Sequence, residues 1–199
     1  VTPSDHLILN EDDFRTIIGE CLEFADRHDA LLTVGIKPTR PDTGYGYIQV
    51  SDDHTISKVK CFTEKPDLEL AQTFLQTGEF YWNSGIFIWK VQAIVEAFRK
   101  YLPEHHAMFS GVIKALGTDA EKTTVEIVFS ECRAISIDYG IMEKADNVYV
   151  SLGDFGWSDL GTWGSLYDLS PKDEEGNVTL KCQSLLYNSK GNVVVLPEN

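Results

Sequence analysis

Ala30-Leu31-Leu32-Thr33-Val34-Gly35-Ile36 is a short, continuous apolar run, and such a run reads as a buried strand of a parallel sheet. Pro38 and Pro41 stop it. Ahead of it, Phe14, Ile17, Ile18, Cys21, Leu22 and Phe24-Ala25 recur at the i, i+3, i+4, i+7 spacing of an amphipathic helix. Asn10-Glu11-Asp12-Asp13 supplies that helix with a cap and first-turn acids, and His28-Asp29 ends it. Downstream, Tyr47 to Val50 and Ile56 to Phe62 read as two strands in hairpin order around a turn at Ser51-Asp52-Asp53. Helical spacing follows at Leu68 to Leu75, a β-rich stretch at Tyr81 to Trp89, and helices at Gln92 to Tyr101, Glu104 to Leu116 and Glu121 to Phe129. Asn147 to Leu152 is a further strand and Thr162 to Leu169 a further helix.

Strands alternating with helices predict an α/β fold with a mixed, mostly parallel sheet flanked by helices in a Rossmann-like arrangement. Lys172-Asp173-Glu174-Glu175-Gly176-Asn177 resembles a linker, which divides the chain into 1–172 and a short β segment, 173–199, with β runs at Ser184 to Tyr187 and Val193 to Leu196. The chain opens on what reads as the end of a strand, so the first strands of the domain are expected ahead of Val1.

Seventeen basic against 31 acidic residues leave a net charge of −14. That balance excludes nucleic acid and anionic membrane as partners, because both need a cationic footprint. No apolar run reaches the ~20 residues of a membrane helix. Cys21, Cys61, Cys132 and Cys182 are scattered and form no C-x-x-C pair. They read as reduced, mostly buried thiols of a cytoplasmic protein. Any phosphate chemistry in so acidic a chain needs local compensation, from a cation or from well-placed lysines.

Several short stretches carry candidate chemistry. Asp5, in Pro3-Ser4-Asp5-His6, sits at the end of a strand before a helix, where ligands of open α/β sheets gather, although an Asp there also serves as a cap or turn former. In Phe155-Gly156-Trp157-Ser158-Asp159-Leu160-Gly161-Thr162-Trp163, glycines allow close approach and Asp159 can ligate a hard cation or cap the next helix. Thr43-Gly44-Tyr45-Gly46-Tyr47 is a flexible turn without the spacing of a phosphate loop. In Phe62-Thr63-Glu64-Lys65-Pro66, the proline is expected to hold Lys65 extended, with Glu64 and Lys65 on opposite sides. Trp82-Asn83-Ser84-Gly85 buries an amide that needs partners, which a sugar diol or a turn would supply. Asp138 opens a helix bearing Tyr139 and Glu143.

Taken in order, these stretches, with Ser136-Ile137-Asp138-Tyr139-Gly140-Ile141-Met142-Glu143-Lys144 among them, resemble the mannose-1-phosphate guanylyltransferases, a branch of the sugar nucleotidyltransferases. The resemblance implies transfer of GMP from GTP to mannose 1-phosphate, giving GDP-mannose and pyrophosphate, with Mg²⁺ as cofactor. It implies Asp5 and Asp159 as the metal carboxylates, Lys65 as the phosphate contact, Glu64 and Asn83 as holders of sugar hydroxyls, and Gly46 as a backbone donor. Gly85 would leave room beside the sugar, and Asp138 is a further substrate contact by the same resemblance. The family's glycine-rich nucleotide loop has no counterpart in these residues and is expected ahead of Val1, so the chain by itself is expected to be inactive. The tail after Gly176 resembles the start of the family's C-terminal β-helical region. Two alternatives stay open: another sugar-1-phosphate nucleotidyltransferase, or a non-catalytic sugar-phosphate-binding subunit. Oligomeric state is open too, a homodimer among the options.

Overall fold

In this computed structural model, residues 1–50 and 54–196 are described. The turn expected at Ser51-Asp52-Asp53, and the last positions of the expected 173–199 segment, lie outside them. The first half of the chain runs β1 (Leu7–Ile8), α1 (Glu11–Arg27), β2 (Leu31–Ile36), β3 (Tyr47–Val50), β4 (Ile56–Thr63), α2 (Leu68–Thr77) and β5 (Phe80–Trp89). The second half runs α3 (Val91–Tyr101), α4 (Pro103–Ala115), α5 (Glu121–Glu131), a π-helical turn (Asp138–Met142), β6 (Val148–Gly153), β7 (Trp157–Ser158), α6 (Trp163–Leu169), β8 (Val178–Leu180) and β9 (Val193–Val195).

Two compact units result: 1–3 with 10–155, and 4–9 with 156–199. The division therefore falls after Phe155 and recruits the start of the chain, where the sequence suggested a break at 172/173. Asp173 is also part of a packed turn. Its carboxylate accepts from the Asn177 backbone at 2.8 Å, and buried Asn177 donates to the Ser189 carbonyl at 2.9 Å. The supposed linker is thus a packed turn, and Ser184 to Tyr187 forms no strand. β8 and β9 pair in parallel.

In the larger unit the strands close in the order β2-β5-β3-β4-β6 and back to β2. Among the described residues of this unit only β2–β6 is parallel; β2–β5, β3–β4, β3–β5 and β4–β6 are antiparallel. The expectation of a mostly parallel sheet is corrected here, while the mixed α/β character stands. A run of six buried residues in β2 reports burial on both faces and carries no information about the direction of its neighbours. The core joins Leu31, Ile48, Phe62, Phe87 and Val150 of the strands to Ala93 and Ala97 of α3. Ile141 and Met142 of the π-helical turn complete it. Burying the larger of these side chains, leucine, isoleucine, valine, methionine and phenylalanine, contributes about 1.5–3 kcal/mol each. α1 is capped by Asn10, whose side chain accepts from Asp13 N, and buries Cys21 and Ala25. Cys21 is the one buried cysteine; Cys61 is exposed and Cys132 and Cys182 are half-buried, so the thiols are free but not mostly buried.

Candidate functional site

The larger unit gathers its polar residues around an irregularity in β5. Thr33 faces Phe87 and Gly35 faces Asn83, so three residues of β5, Ser84 to Ile86, stand against Val34 alone. Gly85 absorbs this bulge at φ +73°, a left-handed conformation that L side chains resist. No protein atom crowds it, since a Cβ there would meet nothing nearer than Pro3 at 3.7 Å. The bulge aims Asn83 inward. Its Oδ1 accepts from the Thr33 hydroxyl at 2.7 Å and from Gly85 N at 3.2 Å, while Nδ2 donates to Asp138 Oδ1 at 2.9 Å. Asn83 N also donates to the Gly46 carbonyl at 2.8 Å, which ties the β3 entry to β5.

Glu64 and Lys65 follow β4. Lys65 is left-handed, φ +47°, and its ammonium lies 3.8 Å from Glu64 Oε1. The expected extended conformation and opposed side chains are therefore corrected. Proline disfavours the right-handed helical region for its predecessor, and that leaves the left-handed well available. The turn is held from the other side of the cavity: Glu64 N donates to Glu143 Oε1 at 3.1 Å, and Tyr139 OH to the Glu64 carbonyl at 3.5 Å. Asp138 and Glu143 come together because the turn between them is π-helical, with Glu143 N donating to the Asp138 carbonyl at 3.0 Å.

Glu64 Oε2 is buried and has no hydrogen-bond partner. A Cβ at Gly46 would collide with it. Burial, then the negative charge of Asp138, push the Glu64 carboxyl up to about 7; Lys65 pulls the other way and Glu143 adds to the rise. Burial likewise raises Asp138, against hydrogen bonds from its own backbone and from Asn83. The set opens onto a cavity of about 610 Å³ lined by Glu64, Lys65, Arg133, Ser136, Asp138 and Tyr139. That volume suits a small polar ligand.

The smaller unit holds Asp5 and Asp159. β1 and β7 are antiparallel, with Leu7 opposite Ser158. His6 and Asp5 precede β1 and Asp159 follows β7, so in this antiparallel ribbon both carboxylates flank the same end. Trp157 Nε1 donates to His6 Nδ1 at 3.1 Å, with the rings edge-on at 5.3 Å. Asp159 Oδ1 accepts from Gly161 N at 3.0 Å, and α6 is capped by Thr162, which accepts from Ser165 N. Asp159 thus shapes the turn and does not cap the helix.

A nucleotidyl transferase family profile matches residues 1–176. The chain belongs to that family. Mannose-1-phosphate guanylyltransferase of Escherichia coli is 37% identical over 185 residues, covering 89% of this chain and 40% of that protein. The Klebsiella pneumoniae protein of the same name is 39% identical over 197 residues, 96% of this chain and 41% of that one. The chain thus spans less than half the length of these relatives. The solved structure of mannose-1-phosphate geranyltransferase from Thermus thermophilus superposes with a TM-score of 0.84 at 32% identity, over 98% of this chain and 58% of that one.

Within this nucleotidyl transferase chain, the larger unit brings Gly46, Glu64, Lys65, Asn83, Gly85 and Asp138 to one region, and the smaller unit carries Asp5 and Asp159. Two supporting residues escaped the sequence reading. Thr33 is fully buried and orients the Asn83 amide; its lone hydroxyl in an apolar run was the available signal. Glu143 anchors Glu64 only because the intervening turn is π-helical, and no residue type announces that. Two carboxylates are hard oxygen donors, a set that suits Mg²⁺ when substrate phosphates fill the other positions. Among the described residues no group of three or more His, Cys, Asp or Glu forms a metal cage. No described helix is long and apolar enough to cross a membrane.

Proposed function

We propose that this chain forms the sugar-phosphate and metal parts of an enzyme that transfers GMP from GTP to mannose 1-phosphate, releasing pyrophosphate and leaving GDP-mannose. The observation that carries this reading is the partnerless, buried Glu64 Oε2 beside Gly46. A buried oxygen without a partner costs about 1–3 kcal/mol, which a ligand hydroxyl bonding to it would recover. Asn83 and Asp138 extend the same wall, so a diol has several partners. With its carboxyl near neutrality, Glu64 can both donate and accept, as a hydroxyl does.

The sugar phosphate has a second pKa near ~6, so its oxygen is nucleophilic at neutral pH without a general base. That oxygen forms the new bond to the α-phosphorus of GTP, the α–β phosphoanhydride bond breaks, and pyrophosphate carries away the electron pair. Lys65 would neutralise charge on the sugar phosphate, and the fixed wall of Glu64, Asn83 and Asp138 would orient the sugar for in-line attack. Mg²⁺ held by Asp5 and Asp159 would supply charge neutralisation at the phosphates. None of the residues present matches the family's nucleotide loop, so the chain alone is proposed to release no pyrophosphate. The free thiols suit the cytoplasm that this reading requires.

Calorimetric titration of mannose 1-phosphate with and without Mg²⁺, repeated with Asp159→Ala and Glu64→Ala, tests the reading. Magnesium-strengthened binding that weakens in both variants is expected. A folded chain that binds no sugar phosphate, or binds it equally well in both variants, sinks it.

A further inference from the structure

The cavity beside Glu64 has two chemically distinct walls. One is acidic, formed by Glu64 and Asp138, with the Asn83 amide bonded to Asp138 beside it. The other is cationic: Lys65, Arg133 and Lys144 all line the same space. In a chain with 17 basic and 31 acidic residues, three cations around one cavity are a local reversal of the overall charge. The arginines Arg15, Arg40 and Arg99 each pair with a neighbouring carboxylate, Arg15 with Glu11 and Asp12, Arg40 with Asp42 and Arg99 with Glu96. Arg133 and Lys144 have no ion-pair partner among the described residues.

Their backbones are nonetheless held in place. The Arg133 carbonyl bonds to His105 Nε2 of α4 at 2.7 Å. Three residues on, the Ser136 hydroxyl and carbonyl accept from Tyr139 N and Gly140 N, at 3.3 and 2.9 Å. Lys144 N donates to the Ile141 carbonyl at 2.9 Å, which closes the π-helical turn that also presents Asp138. Two anchored stems thus bring a guanidinium and an ammonium to a cavity whose opposite wall suits hydroxyls.

Resting on the sugar-phosphate reading above, we infer that Arg133 and Lys144 bind the phosphate group of the ligand together with Lys65, as a clamp that sets the ligand's direction. Arginine supplies a planar fork for two phosphate oxygens, and lysine a point charge. The hydroxylated ring lies against Glu64, Asn83 and Asp138, and the anion against the cationic wall. Lys65, whose ammonium is shared with Glu64, stands between them.

The test uses this chain, its Arg133→Gln/Lys144→Gln double variant, and three probes: inorganic phosphate, mannose and mannose 1-phosphate. Amide NMR shifts at residues 133–136 and 144 are followed. Phosphate is expected to move these amides in the wild-type chain and not in the variant. Affinity for mannose 1-phosphate is expected to fall roughly 10- to 100-fold, while any mannose binding stays unchanged. Equal affinity in the two proteins, or a folded wild-type chain whose 133–144 amides ignore phosphate, overturns the clamp. Phosphate shifts at these amides without sugar-phosphate binding would retain the anion site and remove the sugar reading instead.

Discussion

Glu64 is the residue on which the chemistry and the stability of the larger unit meet. Its carboxyl titrates near 7 in the folded chain against 4.5 for the free side chain, chiefly through burial and the nearby Asp138. The folded state therefore binds the proton more tightly than the unfolded one. The stabilising contribution is complete below about pH 4.5 and is lost as pH rises through about 7. Glu64→Gln carries no such charge, so relative to wild type it should gain about 2 kcal/mol between about pH 5 and about pH 8. Urea midpoints at the two pH values measure this, and a difference independent of pH would show that the carboxyl is ionised throughout. Thr33→Val removes the side-chain hydroxyl bonded to Asn83 Oδ1 and should cost about 1–2 kcal/mol. It should also weaken sugar-phosphate binding, because the Asn83 amide then keeps only its bonds to Asp138 and Gly85 N. Asp5, Glu64, Lys65, Asn83 and Asp159 could be singled out from residue type and neighbours, but the left-handed Lys65 could not. Pro66 restricts its predecessor without choosing between the extended and left-handed wells.

Among the elements, β5 shows how a strand can be regular in sequence and irregular in space. Tyr81 to Trp89 looks like one unbroken β run, yet its pairing with β2 slips between Asn83 and Phe87. Gly85→Ala should destabilise the chain by about 1 kcal/mol through backbone strain alone, since space exists for the methyl. Chemical denaturation checks it. A neutral result would mean that the backbone relaxes out of the left-handed well. Helices were legible where local signals agree: Asn10 followed by three acids opens α1, and the apolar period sustains it. Strand direction was not, because β2 is buried on both faces whether its neighbour is parallel β6 or antiparallel β5. In sequence, Asp138 looks like an ordinary helix start, whereas the turn it opens is π-helical and buries Ile141 and Met142 in the core. For the same reason Glu143 could not be matched with Glu64 beforehand.

At the scale of the whole chain, binding is readable as thermal stability. Mannose 1-phosphate at about 100 times its dissociation constant should add about 2.7 kcal/mol and raise the melting temperature of the unit that holds it by roughly 5–10 °C. Scanning calorimetry with mannose 1-phosphate and glucose 1-phosphate in parallel decides between sugars; a larger shift with glucose 1-phosphate would move the chain to another branch of the family. The partition into units was the least legible property, because it depends on β1 finding β7 across the length of the chain. Leu7 and Ser158 are partners, and that pairing has a consequence in time. A ribosome adding about 5–20 residues per second emits Leu7 roughly 8–30 s before Ser158. During that interval segment 10–155 is made, and its closing strand β6 emerges only at the end of it, while the stretch bearing Asp5 waits with no strand to join. The sugar wall is thus born before the carboxylate pair, and an early stop in translation would leave the first without the second.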